Sequence, residues 1–312
     1  MKNILLVLFL LGSVALQAQQ ENQYTQFMYN QLNLNPAYAG ARGMTSFQAF
    51  YRGQWLGFEK APTSKLLSFN SPLFDDRVGL GLSIANHTHG IHKLVSGHMA
   101  YAYNIKINKE TSFRFGIQGN LRHFNIDFTD PSVTPRDGGD PSIGNNTAET
   151  KLTGNFGAGI YFTYKNMYFG VSVPSIYPNE IGINPISRKT AEEAPHLYAM
   201  AGTLIPVSSK IDLKPAILLK RVKNAPLDLD FNFSFVYNKT LTAGISYRYG
   251  GDGKGESVDL VAMYQYGSFG FGVAYDLGLT DLSEYNSGSI EGLVRYDFIK
   301  ENNDIANPRF FF

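Results

Sequence analysis

The stretch TSFRFGIQGNLRHFNIDF, residues 111–128, alternates apolar and polar side chains over most of its length. The apolar parity carries Phe113, Phe115, Ile117 and Leu121, and the polar parity carries Arg114, Gln118, Asn120 and Arg122. Such alternation places the two kinds of side chain on opposite faces of a β-strand. At about 3.3 Å per residue the stretch is also much longer than the usual strand of about five or six residues. The sequence therefore predicts a long amphipathic strand.

The same alternation recurs along the chain and predicts about fourteen strands. They cover residues 46–57, 64–71, 77–87, 94–107, 111–128, 152–164, 167–177, 196–207, 210–222, 226–237, 240–250, 256–266, 269–277 and 289–300. An even number of alternating segments of roughly ten residues is typical of a single-chain outer-membrane barrel. A soluble β-sandwich is the alternative, but its strands are shorter and its apolar face is less aromatic. We therefore predict an all-β, antiparallel, transmembrane outer-membrane β-barrel.

The connections between the predicted strands alternate in length. Those after even-numbered strands are short, for example INKE, KN and GS, and those after odd-numbered strands are mostly longer, for example residues 129–151, 178–195 and 278–288. Only KNAP, residues 223–226, is short where a longer connection is expected. Since short turns face the periplasm in outer-membrane barrels, the rhythm predicts that both termini are periplasmic.

Residues 1–18, MKNILLVLFLLGSVALQA, have the layout of a secretory signal peptide. One cationic residue, Lys2, precedes an apolar run that begins at Ile4 and ends at Leu11, and small residues follow. A transmembrane anchor is the alternative, but the run is short of the roughly 20 residues that a span requires. We expect cleavage after Ala18.

The rest of the chain then divides into three parts and contains no second domain. These are a periplasmic N-terminal segment over residues 19–44, the barrel over residues 45–300 and a periplasmic C-terminal tail over residues 301–312. The N-terminal segment is expected either to fill the periplasmic mouth of the barrel or to dock a partner there. A plain linker is the alternative.

The composition agrees with an exported β-protein. The chain contains 19 Tyr, 23 Phe, 31 Gly and no Cys, which is too aromatic for a disordered chain and too rich in glycine for a helical one. Without cysteine, neither disulfides nor thiolate chemistry is available. Removing Lys2 with the signal leaves equal numbers of basic and acidic residues, so nothing indicates a nucleic-acid partner.

A barrel of about fourteen strands is wide enough to enclose a lumen, and polar residues on the parity opposite to the aromatic side chains are expected to face it. These lumen-facing candidates are Arg114, Arg122, Asp228, Asp230, Arg248, Asp259, Asp276 and Arg295. Because both signs of charge are present, the pattern indicates a salt-bridged interior and not an ion filter of one sign.

The search for catalytic or metal-binding motifs gives no strong candidate. The histidines His87, His89, His92 and His98 lie close in sequence and could bind a transition metal, but no acidic or cysteine ligand adjoins them. The aspartates of the 129–146 loop do not have the spacing of an EF-hand. No nucleophile elbow, P-loop or dinucleotide fingerprint occurs. We therefore expect no metal, no cofactor and no enzymatic activity, although a spatially assembled Ser/His/Asp set is the open alternative.

The stretch QYTQFMYNQLNLNPAYAG, residues 23–40, resembles the mature N-terminus of the PorP/SprF family of type IX secretion membrane proteins. The family passes from this stretch into a first strand with an R-x-Q-W element, which corresponds here to Arg52-Gly53-Gln54-Trp55. Ser68-Phe69-Asn70-Ser71-Pro72-Leu73 follows in the same way. Unlike most of the family, this chain has no proline directly after Asn30.

The resemblance implies an integral outer-membrane protein that serves type IX secretion and, in gliding bacteria, the movement of surface adhesins. One branch of the family, similar to PorP, is a component of the secretion machine that is linked to the periplasmic ring and to a peptidoglycan-binding protein. The other branch, similar to SprF, exports or retains particular secreted proteins.

We expect this chain to bind and anchor a secreted surface protein through the C-terminal domain of an adhesin. The alternatives are a core machine component and an outer-membrane pore for small solutes. The residues expected to fill the lumen or bind the partner are Tyr24, Phe27, Tyr29, Asn35, Pro36, Tyr38, Arg52 and Trp55. Rigid aromatic side chains supply contact area at low entropy cost, and Asn35-Pro36 is unsuited to helix and to a strand ladder.

Overall fold

The computed structural model describes residues 23–133, 148–180, 192–250 and 255–299. The signal peptide and the C-terminal tail expected from the sequence lie outside these residues. None of the helices within the described ranges is long and apolar enough to cross a membrane.

Fourteen antiparallel strands form one closed barrel. They are β1 (Ser46–Gly53), β2 (Thr63–Leu73), β3 (Val78–His89), β4 (His92–Lys106), β5 (Thr111–Asp127), β6 (Ala148–Tyr164), β7 (Met167–Val173), β8 (His196–Thr203), β9 (Ile211–Val222), β10 (Asp228–Tyr237), β11 (Leu241–Tyr249), β12 (Gly255–Tyr266), β13 (Phe269–Gly278) and β14 (Ser289–Asp297). Each strand pairs with its neighbours in sequence, and β14 pairs with β1 along its whole length. The sheet therefore has no open edge, as a membrane-spanning sheet requires. The predicted all-β barrel is confirmed.

The side chains of the barrel are distributed in the opposite way to those of a soluble protein. In β5, Phe115 and Ile117 are 49% and 63% exposed on the outer surface, whereas Arg114 and Gln118 are buried inside. The same alternation runs through the other strands, so the outer surface is apolar and the interior is polar. This arrangement is the one that a barrel in lipid requires.

Two groups of connections define the two ends of the barrel. The end at which β2–β3, β4–β5, β6–β7, β10–β11 and β12–β13 connect has short turns, and we call it the short-turn mouth. The opposite end, at which β1–β2, β3–β4, β5–β6, β7–β8, β9–β10, β11–β12 and β13–β14 connect, is the long-loop mouth. Residues 90–91 and 223–227 are the short connections at this end, and residues 204–210 connect β8 to β9 at the short-turn mouth. Asn238 and Lys239 in the β10–β11 turn have φ values of 47° and 56°, as tight hairpins whose twist matches their strands require.

Several strand ends differ from the sequence-based boundaries. β1 ends at Gly53 and not at 57, because Trp55 has a left-handed φ of 52° that ends the pairing. β7 ends at Val173 and not at 177, since Pro174 follows and cannot donate into the ladder. The β3–β4 connection is only residues 90–91, because both strands extend farther than expected.

The described parts of the connections contain a few short elements. Asn179–Glu180 pairs with Glu192–Glu193 in the β7–β8 connection, and Ile205–Pro206 adds a short pairing to β9. A 3-10 helix, Asp281–Tyr285, lies in the β13–β14 connection. On the outer surface near the short-turn mouth, the ring of Phe47 packs 4.9 Å from that of Phe69 and 5.9 Å from that of Phe298, measured between centroids. Such aromatic clusters are typical of the membrane interface of barrels.

Candidate functional site

Residues 23–44 lie inside the barrel, and we call them the lumen segment. Three short helical turns follow one another, Phe27–Tyr29 and Pro36–Tyr38 in 3-10 form and Gln31–Leu34 in α form. Most of their side chains are buried, although the segment pairs with no strand of the barrel. The lumen is therefore occupied by the chain itself.

Asn35 ends the α-turn and ties the segment to the wall. Its backbone is extended, with φ −143° and ψ 114°, as expected for a residue before proline. Its side-chain oxygen accepts a hydrogen bond of 2.9 Å from the Ala37 N–H, and its Nδ2 donates one of 2.9 Å to the Ile160 carbonyl in β6. The side chain is 0% exposed. One buried amide therefore both caps the next turn and binds the segment to strand β6.

Replacing Asn35→Ala should lower the free energy of unfolding by about 1–3 kcal/mol, because it leaves the Ala37 N–H buried without its acceptor and removes the hydrogen bond to the Ile160 carbonyl. The matched control is Asn108→Ala, since Asn108 is exposed in the β4–β5 turn and accepts one local hydrogen bond. The shift of the urea midpoint of the folded form in detergent measures both. Equal midpoints for the two variants would contradict the assigned role of Asn35.

Glycines in the barrel wall allow the backbone of the lumen segment to approach closely. A Cβ on Gly79 in β3 would overlap the Ala39 carbonyl, and a Cβ on Gly116 in β5 would overlap the backbone of Ala37. A Cβ on Gly159 in β6 would overlap the side chain of Asn35. The segment thus touches three strands, β3, β5 and β6, at positions where only glycine fits.

The substitution Gly116→Ala should displace the lumen segment, because the methyl group would occupy the place of the Ala37 backbone. Gly119→Ala in the same strand is the control, since the space around Gly119 is open. Limited proteolysis of the folded barrel, with cleavage read between residues 23 and 44, measures the displacement. Overpacking destabilises a packed state by about 1–3 kcal/mol. We therefore expect the lumen segment of Gly116→Ala to leave its packed position more often and to be cleaved about tenfold faster. Equal cleavage rates would contradict this packing.

Aromatic residues of the segment pack against inward side chains of the wall. The ring centroids of Tyr24 and Phe50 are 5.0 Å apart, and those of Tyr38 and Tyr161 are 5.5 Å apart, both edge to face. The Lys214 Nζ lies 4.2 Å from the ring centroid of Tyr29, a cation–π contact away from solvent.

At the short-turn mouth the segment is fixed by polar contacts to the barrel. The Gly40 N–H donates to the Asn70 side chain at 2.6 Å, and the Arg114 guanidinium donates to the Ala39 carbonyl at 3.3 Å. Arg42 Nη2 lies 3.1 Å from Asp297 Oδ1, with both side chains buried. These contacts hold the chain where it turns into β1.

Near the long-loop mouth the first residues of the segment are held by Glu291 in β14. The N–H groups of Thr25 and Gln26 donate to the two carboxylate oxygens at 2.7 and 2.9 Å. Arg52 Nη1 lies 2.6 Å from Glu291 Oε1 and 2.7 Å from Asp276 Oδ2. One carboxylate thus satisfies two backbone donors and one buried guanidinium.

These contacts belong to a larger charged cluster, which we call the mouth network. It consists of Arg52, Lys220, Arg248, Asp228, Asp230, Glu256, Asp259, Asp276 and Glu291. Within it, Asp230 lies 2.8 Å from Lys220 and 2.7 Å from Arg248. The network surrounds Thr25, whose hydroxyl donates to Asp276 at 2.6 Å.

The lumen segment therefore extends along the barrel from the long-loop mouth to the short-turn mouth. The sequence led us to expect it in one mouth only. The structure differs because the unpaired N–H groups of Thr25 and Gln26 need acceptors inside the barrel, and Glu291, close to the long-loop end of β14, supplies them.

The structure places the candidate residues as follows. Phe27, Tyr29, Asn35, Pro36, Tyr38 and Arg52 are buried between the segment and the wall, Tyr24 is partly buried, and Trp55 lies at the long-loop mouth. The lumen-facing candidates Asp228, Asp230, Arg248, Asp259 and Asp276 lie in the mouth network, whereas Arg114 pairs with Asp76, Arg122 with Glu193 and Arg295 with Asp297.

Four important residues were missed by the sequence reasoning, namely Arg42, Lys214, Glu291 and Asp297. Glu291 and Asp297 have the same parity in β14 as Arg295, so that parity could have identified them. Lys214 has the buried parity of β9 but adjoins Pro215, which obscured the pattern. Arg42 lies outside any alternating segment.

The histidines form no metal site in the part of the chain described here, which contains no suitable group of metal-ligating side chains. His87 contacts the Ser64 hydroxyl at 2.8 Å, and His98 contacts the Asn120 side chain at 3.3 Å. His89 and His92 pair across the end of the β3–β4 hairpin. In the acidic loop, Lys60 binds Asp130 and lowers its pKa, while Asp137 and Asp140 lie outside the described residues.

The fold is similar to that of solved outer-membrane channels. The Pseudomonas putida toluene transporter TodX is 12% identical, with 86% of this chain and 93% of that chain covered and a TM-score of 0.50. The Ralstonia pickettii toluene transporter TbuX is 9% identical, with coverages of 85% and 92% and a TM-score of 0.53. The CymD monoaromatic hydrocarbon channel is 11% identical, with coverages of 89% and 93% and a TM-score of 0.52. At such identities the likeness shows the fold alone.

A search of curated proteins gives no match to the chain. The model of the type IX secretion system membrane protein family PorP/SprF matches residues 16–296. That range includes the lumen segment and essentially the whole barrel. The chain therefore belongs to the PorP/SprF family of type IX secretion system membrane proteins.

Proposed function

We propose that this protein is an outer-membrane anchor that binds a secreted surface protein of the type IX system, through the C-terminal domain of an adhesin, and holds it at the cell surface. The observation that carries the proposal is the occupied lumen. Residues 27–32 and 35–42 are buried almost throughout and fastened at both mouths. A barrel closed in this way is suited to binding and holding a partner, and not to passing solutes.

The proposed orientation follows from the connections. Short turns face the periplasm in outer-membrane barrels, so the short-turn mouth is periplasmic and the long-loop mouth faces outward. Ile299 is then on the periplasmic side, where the tail would meet the periplasmic ring and peptidoglycan-binding proteins. In this proposed orientation Gln23 lies toward the cell surface.

The proposed role is one of binding without catalysis. Many buried polar groups of the described interior are engaged in ion pairs within the wall or in hydrogen bonds between the wall and the lumen segment. Such contacts stabilise a closed structure, which is suited to binding.

A pore for small solutes is the second candidate, because the similar solved structures are described as hydrocarbon channels and toluene transporters. In this chain the space that a solute would cross is filled by residues 23–44. We therefore place the pore second to the anchor.

The test is to purify the tagged protein from native outer membranes in mild detergent and to identify its partners by mass spectrometry. An unrelated outer-membrane barrel with the same tag is the control. A large secreted protein in near-equal amount supports the anchor. Recovery of periplasmic ring and peptidoglycan-binding proteins without cargo would identify a core machine component instead and would overturn the proposal.

A further inference from the structure

A small polar cavity opens at the long-loop mouth beside the mouth network. Its volume is about 180 Å³, and its lining includes Gln23, Arg52, Trp55, Arg248, Glu256 and Asp276. Pockets for drug-sized ligands measure about 300–1,000 Å³, so this cavity is too small for such a ligand. It is suited to one long side chain.

The mouth network carries more negative than positive charge. Its six carboxylates are Asp228, Asp230, Glu256, Asp259, Asp276 and Glu291, and its three cations are Arg52, Lys220 and Arg248. Among the described residues of the network the formal excess is three negative charges, and His196 borders it as a further basic group. Burying unbalanced charge is costly, so the network favours a cation from outside.

One carboxylate of the network, that of Asp259, is poorly satisfied by hydrogen bonds, and the Ser257 hydroxyl is the donor beside it. Asp259 is 1% exposed, and neither of its oxygens accepts a hydrogen bond of normal geometry from the described residues. It lies directly across the strand pair from Asp276, which lines the cavity. Because buried polar groups are almost always paired, the pair of Asp259 and Asp276 can accept a further donor, and Asp276 is the member that lines the cavity.

The cavity is also framed rigidly. Trp55 has a φ of 52°, a conformation that costs a non-glycine residue free energy and that persists at ligand-binding sites when surrounding contacts enforce it. Its N–H donates to the Ser289 hydroxyl at 3.2 Å, and Leu56 exchanges backbone hydrogen bonds with the β13–β14 connection at 2.8 and 2.7 Å. A fixed indole beside carboxylates is a good environment for a guanidinium, which can stack on the ring and donate to oxygens together.

We propose that this cavity binds a basic side chain, preferably arginine, from the polypeptide of the secreted partner. The inference rests on the proposed function and assigns the partner contact to one site. The occupant would neutralise part of the excess charge and supply a further donor to the pair of Asp259 and Asp276. It would also contact Gln23, so the partner and the lumen segment would share one surface.

The test uses the full chain in detergent and the intrinsic fluorescence of Trp55, which is the only tryptophan in the sequence. The probe is the peptide acetyl-Gly-Arg-Gly-amide, and the matched control is the same peptide with citrulline, which is neutral and of equal shape. We expect a saturable change with the arginine peptide, and affinity at least about tenfold weaker for citrulline, as loss of a charged hydrogen-bond donor implies. Equal affinities or no saturable change would overturn the inference.

A variant gives a second readout. Glu256→Gln should weaken binding of the arginine peptide about tenfold by the same reasoning, whereas Glu110→Gln, in a short turn at the opposite mouth, should leave it unchanged. If Glu256→Gln fails to fold, the comparison of the arginine and citrulline peptides on the unaltered chain tests the site. Unchanged affinity in a folded Glu256→Gln protein would contradict the site.

The two proposals fail in different ways. If cargo co-purifies but the arginine peptide does not bind, the anchor stands and this site is wrong. If the peptide binds with the expected selectivity but no cargo co-purifies, the arginine-binding site stands and the proposed anchor function is wrong.

Discussion

Replacing Glu291→Ala should lower the free energy of unfolding by about 3–5 kcal/mol, the cost of leaving a buried ion-pair partner uncompensated. The carboxylate accepts the N–H groups of Thr25 and Gln26 and pairs with Arg52 at 2.6 Å. Without it, two backbone donors lose their acceptor, and the Arg52 guanidinium retains Asp276 as its carboxylate partner. A urea titration in detergent measures the loss of unfolding free energy. The folded and unfolded forms are distinguished by their different mobilities on gels.

The control for this variant is Glu110→Ala. The Glu110 carboxylate lies 3.7 Å from Lys165 Nζ, and both side chains are more than half exposed, so the expected change is about 0–1 kcal/mol. Glu291→Gln keeps the shape and one acceptor and should lie between the two. A midpoint for Glu291→Ala that matches the control would show that the mouth network does not hold the lumen segment.

Deleting residues 23–36 should release the secreted partner while the barrel remains folded and inserted. The wall keeps its hydrogen bonds because β14 still pairs with β1, but Glu291 and Asp276 lose their contacts to Thr25. The mouth that we propose as the docking surface then loses its support. We expect at least about a tenfold loss of partner per barrel, equivalent to about 1.4 kcal/mol, measured by quantitative mass spectrometry after purification.

The deletion requires its own control for insertion. The gel mobility of the unheated protein shows whether the barrel has folded, and Gly119→Ala should retain both the mobility and the partner. A folded deletion variant that retains the partner at the level of the unaltered chain would exclude the lumen segment from docking.

The sequence was sufficient for the barrel because a sheet with lipid on one side and polar groups on the other must alternate in every strand. The strand β5 illustrates this, since residues 111–128 were expected and Thr111–Asp127 is observed. The ends of the strands were less predictable where backbone conformation sets them. At Trp55 a left-handed φ ends β1, and no side-chain pattern indicates it.

The contacts of the lumen could not be predicted in the same way. Arg52 and Glu291 are 239 positions apart in sequence and meet only because the barrel closes between β14 and β1. Alternation reveals that Arg295 faces inward, yet it says nothing of its pairing with Asp297 or of the approach of Arg42. Asn35 was selected for its backbone preference, while its hydrogen bond to Ile160 depends on the register of β6.

The most direct test of the closed barrel is single-channel recording of the unaltered protein in planar bilayers. Because residues 23–44 occupy the lumen and are fixed at both mouths, we predict no stable conductance above the leak of the bilayer, and defined conductance steps only after deletion of residues 23–36. Steady conductance of the unaltered chain would contradict the account and would favour a solute pore.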